Sequence, residues 1–254
     1  MRIQAPLNSG SIFYNYKQFF TMILLAICDA LYKFTWVDIR QYGSISNGEM
    51  WANTDFANDI AASNLLLPDP TPLPKTNIPF SFVFIRDEAF PLSTYMMRPY
   101  PRKNLINMRI FNYCLSRAPR TIEDAFRILT ARWRILHKPL CMSTTNCENV
   151  LKALVCLHIF IMYSEEQENM NNRQYCTTDL IDTEKRDGNI REGQWRRHFS
   201  PHFAELGRLD ANRADSVAKE MRNILKGYFV SPVGEALWQY EYTFKEVIIN
   251  PFVI

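Results

Sequence analysis

Residues 84–103 read FIRDEAFPLSTYMMRPYPRK. A short apolar run, residues 82–85, ends on Arg86, Asp87 and Glu88, then turns at Pro91 into a basic, proline-punctuated segment. A carboxylate at the end of a buried strand suits a hard divalent cation, which prefers oxygen ligands. A basic surface next to it suits phosphates. From 98 to 138 the chain carries ten Lys or Arg against two acids. Arg98, Arg102, Lys103, Arg109, Arg117 and Arg120 are the leading candidates for a phosphate track, continued by Arg127, Arg132, Arg134 and Lys138. Tyr95, Tyr100, Phe111 and Tyr113 lie among them and could stack on an unpaired base. The plainer reading is that these bases are solvated helix faces, with Arg132 and Arg134 lying over core residues. From 165 to 192 the balance reverses, with eight acids against four bases. No helix-turn-helix or zinc-finger spacing is present, so no element is set to read a base sequence.

The elements that must position these groups are those of an ordinary globular chain. The chain has 254 residues, is 47% hydrophobic and 22% charged, and suits one large domain or one domain with an appendage. Its net charge of +3 is too small to name a partner class. Six cysteines occur without C-x-x-C spacing, several inside apolar runs, which favours free thiols in a reducing compartment. The apolar run FFTMILLAIC is too short to span a bilayer, and no signal-peptide pattern is read at the start. The expectation is a soluble intracellular protein.

Residues 2–7 read as a strand fragment. Residues 18–27 and 32–39 read as strands joined by a turn at Asp29. Residues 48–66 have helical spacing, 65–79 form a proline-rich loop, and 80–85 form a short strand. Residues 104–117 and 120–136 read as two helices joined near Pro119, with Thr121 or its neighbour as cap. Residues 147–163 read as a long apolar, buried helix. Polar residues 164–210 read as a flexible linker, and 211–254 as a helical and aromatic tail. The order of strands and helices is that of an α/β fold, such as a ribonuclease-H-like mixed β-sheet flanked by helices, with a partly helical C-terminal extension.

Specific motifs then enter. GSIFYNYKQFFTMILLAICDALYKFTWVDIRQYGSISNG, FIRDEAFPLSTYMMRPYP, FNYCLSRAPRTIEDAFRILTARWRIL and VLKALVCLHIF follow one another in the chain. Together they resemble the core of PIF/Harbinger-type transposases and the DDE nucleases derived from them, over about residues 2–163. YFVSPVGEALWQY resembles a tail of some members more weakly. The resemblance implies a triad of two Asp and one Glu holding two divalent cations, Mg²⁺ or Mn²⁺, about 3.5–4 Å apart, that clamp the attacking and leaving oxygens of a phosphodiester. By this resemblance Asp87 matches the second Asp and Glu123 the Glu, as catalytic and metal-ligating residues. Taken without the motif, Glu123 is an acid in the first turn of a helix, favoured by the dipole. The resemblance also implies DNA as substrate, a separate Myb-like or THAP-like partner for target recognition, no membrane association, and a nuclear location, with the cytoplasm as a further place.

The sequence departs from that pattern. No acidic residue precedes Asp29, so the family's first Asp has no counterpart, and the chain is expected to be N-terminally truncated. Asp29 and Asp38 are stand-ins only in principle. Arg86 and Arg127 stand where the family has Gly, Ile159 follows His158 in place of Asn, and Asn47 replaces an Asp. His158 is read as a packing or hydrogen-bonding residue. The expectation is a transposase-derived nuclease domain that is inactive, with metal weakly bound or absent. The alternative is a non-catalytic scaffold that binds DNA or protein, and a third reading is a truncated product with an exposed sheet edge.

Overall fold

The computed structural model describes residues 1–15, 17–42, 47–65, 67–87, 90–101, 105–185, 189–198, 215–236, 238–240 and 243. It is a mixed α/β structure of small sheets flanked by helices. Its elements in chain order are β1 (Met22–Cys28), β2 (Phe34–Tyr42), α1 (Asn47–Ala52), α2 (Asp55–Ala61), β3 (Thr71–Pro72), β4 (Pro79–Phe80), β5 (Phe84–Ile85), β6 (Met96–Met97), α3 (Ile106–Arg132), α4 (Thr144–Glu166), β7 (Thr183–Glu184), β8 (Ile190–Arg191) and α5 (Ser216–Phe229). The pairs β1–β2, β3–β4 and β7–β8 are antiparallel, and β5–β6 is parallel. The chain forms two compact units. One holds Met1–Ser46, Arg120–Lys185 and Asn189–Leu206, and the other holds Asn47–Pro119, Arg186–Gly188 and Gly207–Ile254.

In the first unit the apolar run of β1 pairs with β2 through a tight turn. The Asp29 carboxylate accepts from the Leu31 and Lys33 N–H groups, each at 2.9 Å, and Tyr32 takes a left-handed φ of 65°. The start of the chain adds to the other side of β1. Met22 N–H donates to Met1 O at 3.0 Å and Gln4 N–H to Leu140 O at 2.9 Å, with bridges at Arg2–Thr21 and Ile3–Leu140. Strand-like pairing at the start is thus confined to the first few of residues 2–7. One face of this sheet packs against α3 and α4 in a core of Met1, Ile3, Phe34, Ala125, Leu129 and Leu151 with their neighbours. Ser143 caps α4, its Oγ accepting from the Asn146 N–H at 3.3 Å.

The apolar helix α4 is buried on one side only. Cys147, Leu151, Leu154, Val155, His158 and Met162 face the interior, whereas Phe160 is 68% exposed. By length and composition alone this helix could cross a membrane. The stretch expected as a linker contributes Tyr175, Leu180, Ile181 and Trp195 to the buried interior, and residues 199–214 lie outside the described residues. Glu165 organises its start. Its carboxylate accepts from the N–H groups of Gln174, Tyr175 and Cys176 at 2.7, 2.7 and 3.2 Å.

In the second unit the expected helix over 48–66 is broken in two. Thr54 is extended (φ −85°, ψ 143°) and its hydroxyl accepts from the Ala57 N–H at 3.1 Å, so a cap starts α2 where a continuous helix was expected. The expected strand over 80–85 is also split. Phe80 pairs back to Thr71 and Phe84 pairs to Met96. The two helices expected around Pro119 are one, α3, so Thr121 sits inside it and caps nothing. A proline in a helix interior removes one hydrogen bond and crowds the preceding turn, at about 3 kcal/mol. Burial on both sides of it outweighs that cost. Phe111 and Leu115 are buried with α5 residues Ala218 and Leu225, and Ala125 and Leu129 are buried in the first unit.

Candidate functional site

Asp87 belongs to the second unit. Arg86 still pairs with β6, its N–H donating to Met97 O at 3.0 Å, and Asp87 follows as an exposed residue at the strand end. The chain then turns, with Phe90 N–H donating to Asp87 O at 3.5 Å. The Arg86 guanidinium lies 4.4 Å from the centre of the buried Phe90 ring. Glu88 and Ala89 lie outside the described residues.

Glu123 belongs to the first unit and sits within α3. Its spacing from Arg127 is one helical turn, and the guanidinium meets its carboxylate at 3.0 Å. The same guanidinium meets Asp124 at 2.8 Å. Asp124 is the more buried acid, its side chain 7% exposed against 35% for Glu123. Burial pushes the Asp124 carboxyl above its ordinary range, and Arg127 works against that push. The Arg127 guanidinium also lies 4.1 Å from the centre of the Trp195 ring, and Arg196 lies 4.8 Å from it.

Trp195 is itself held. Its indole N–H donates to the Asp182 carboxylate at 3.0 Å, which also accepts from the Gly193 N–H at 2.7 Å and from Arg196 Nη2 at 2.8 Å. Burial raises Asp182, but the Gly193 N–H, Arg196 and Trp195 outweigh it and hold this carboxyl below the ordinary range. Residue 193 must be glycine here. A Cβ would come within 2.4 Å of the Ile181 backbone carbon. Arg127 is therefore fixed between two acids and an aromatic ring.

A divalent cation needs carboxylate oxygens able to turn to it. Glu123 is held by a cation of the protein's own, and Asp124 is buried against the same group. Among the described residues no three His, Cys, Asp or Glu side chains gather as a ligand set. The donor set around Glu123 does not fit a divalent metal.

His158 is fully buried, with Nε2 2.8 Å from Tyr32 O and Nδ1 2.9 Å from the Tyr175 hydroxyl. The carbonyl can only accept, so Nε2 carries the proton and Nδ1 accepts from Tyr175. Tyr175 in turn accepts from the Trp133 indole at 3.1 Å. Both ring nitrogens are engaged in packing the fold.

The basic candidates fall in different places. Arg98 is half-buried and donates to Phe90 O at 3.3 Å. Arg109 and Arg117 are on α3 in the second unit, Arg117 5.8 Å from the Trp238 ring. Arg120 is exposed on α3 in the first unit. Arg102 and Lys103 lie outside the described residues. Arg132 donates through Nε to Tyr175 O at 2.6 Å, the core-covering role of the plainer reading. Sequence reasoning missed Asp124, Asp182, Trp195 and Arg196. The pairing of Glu123 and Asp124 with Arg127 was written in the spacing EDAFR, but nothing local announced the Trp195 stack.

A model of the DDE superfamily endonuclease family matches residues 1–158. No curated protein and no solved structure matches the chain.

Proposed function

Because the chain belongs to the DDE superfamily endonuclease family, we propose that it is a transposase-derived, Harbinger-type nuclease fold that engages DNA without metal-dependent cleavage. The observation that carries this reading is the Arg127 guanidinium on Glu123 at 3.0 Å, a fixed positive charge where the resemblance expects a metal-binding carboxylate. In this reading Asp87 and Glu123 are the inherited positions of the second Asp and the Glu in a ribonuclease-H-like fold. Mg²⁺ or Mn²⁺ is not held by Glu123. DNA contact rests on the basic segment around Arg98, and target choice on a Myb-like or THAP-like partner. The protein acts in the nucleus and away from membranes.

Mn²⁺ titration of the full chain, followed by electron paramagnetic resonance, tests this. The expected result is Mn²⁺ binding that is indifferent to Glu123→Gln and Asp87→Ala. Mn²⁺ binding by the unaltered chain that either substitution weakens would overturn the proposal.

A further inference from the structure

Helix α5 lies beyond the residues matched by the family model and carries its cations as a stripe. Lys219, Arg222 and Lys226 recur at i, i+3 and i+7, one face of a 3.6-residue helix. Glu220 points about a third of a turn away from that face. The neighbouring face of the helix buries Ala218 and Leu225 against Tyr100, Phe111 and Leu115.

Two of these cations close on Tyr100. The Arg222 guanidinium lies 3.9 Å from the ring centre and Lys226 Nζ lies 5.3 Å from it. Tyr100 is rigidly placed. Its backbone N–H donates to the Asn112 side-chain oxygen at 2.7 Å, its carbonyl accepts from the Asn112 amide at 2.9 Å, and its hydroxyl donates to Asn223 at 2.5 Å. Lys226 donates to the same Asn223 oxygen at 3.3 Å. Arg222 donates from Nη1 to Pro99 O at 3.4 Å, while its Nε is buried without an acceptor.

Among the described residues neither Arg222 nor Lys226 has a carboxylate partner within ion-pair distance. Burial lowers the Arg222 pKa, Tyr100 opposes that, and the nearby charge of Arg98 adds to the lowering. Like charges gathered on a half-buried surface are unfavourable until an anion joins them. Two cations at one aromatic ring, carried on one face of a helix, match a ligand with repeated negative charges.

We propose that Arg222 and Lys226 of α5 form a phosphate-binding site for the backbone of duplex DNA. This rests on the reading of the chain as a DNA-engaging protein and adds a contact on the C-terminal helix. Phosphate contacts of this kind position the duplex without reading its sequence.

The test uses the full chain and a fluorescein-labelled DNA duplex, with anisotropy measured across a salt titration. Removing one cation from a phosphate should lower the slope of log affinity against log salt by about 0.9. Lys226→Glu and Arg222→Gln are each expected to weaken binding severalfold and to lower the slope, with Lys152→Ala on α4 as a control that changes neither. Lys226 is a partly exposed residue, so its variant keeps the test decisive even if Arg222→Gln does not fold. If the unaltered chain binds duplex and both variants bind with the same affinity and slope, the site on α5 is wrong and the DNA reading stands. If the unaltered chain binds no duplex, the DNA reading falls and the site falls with it.

Discussion

At Glu123 the competition is between a guanidinium already present and a cation that would have to displace it. An i,i+4 pair on a helix surface is worth only about 0.3–0.5 kcal/mol, so the Glu123–Arg127 contact alone would be a weak barrier. The hold comes from the other partners of Arg127. Asp124 is nearly buried, and a buried carboxylate that loses its hydrogen-bonding partner costs about 1–3 kcal/mol. Arg127→Ala should therefore lower stability by about that amount in urea denaturation, mainly through Asp124. Adding Asp124→Asn should recover most of the loss, because an amide carries no charge to bury. If Arg127→Ala leaves stability unchanged, Arg127 is not held as described. The ion-pair spacing was legible in the sequence, whereas the Trp195 ring arrives from a segment read as linker, and only the fold brings it to Arg127.

The elements show where local reading works and where burial overrules it. The Asp29 turn follows from local chemistry, since a short carboxylate closes its own turn through neighbouring N–H groups. The unbroken path of α3 through Pro119 does not, because proline signals a stop that only burial on both sides can override. The break at Thr54 was signalled by its capping chemistry, which the helical periodicity concealed. Helix α4 is joined to the β1–β2 turn by His158, which is buried as the neutral ring. Burial lowers the His158 pKa below its ordinary 6.5, and the hydrogen bond to the Tyr32 carbonyl opposes this only in part. The folded state thus binds this proton less readily than the unfolded chain. Stability from this group is complete above pH 6.5 and is lost as pH falls from there to the depressed folded value. Urea denaturation at about pH 7.5 and about pH 5.5 should show lower stability at the acid end, and His158→Gln should flatten that difference. An equal difference in both proteins would remove His158 as its source.

Over the whole molecule, the charge pattern is the feature that sequence and structure read differently. The run from 98 to 138 looks like one basic track in the sequence, yet Arg98, Arg109 and Arg117 belong to one unit and Arg120 to the other. Arg132 is engaged with Tyr175. The cations of α5 at Tyr100 were not legible as part of that surface, because contact across more than a hundred residues leaves no local pattern. The family was legible from ordered motifs, and the match over residues 1–158 agrees with the DDE assignment. The activity proposed for this DDE fold is DNA engagement without cleavage. The most direct measurement is to incubate the full chain with supercoiled plasmid and Mg²⁺ or Mn²⁺, following DNA retention and DNA integrity in the same samples. The expected result is DNA that is bound and intact. Metal-dependent nicking or cleavage that disappears in Asp87→Ala would contradict it.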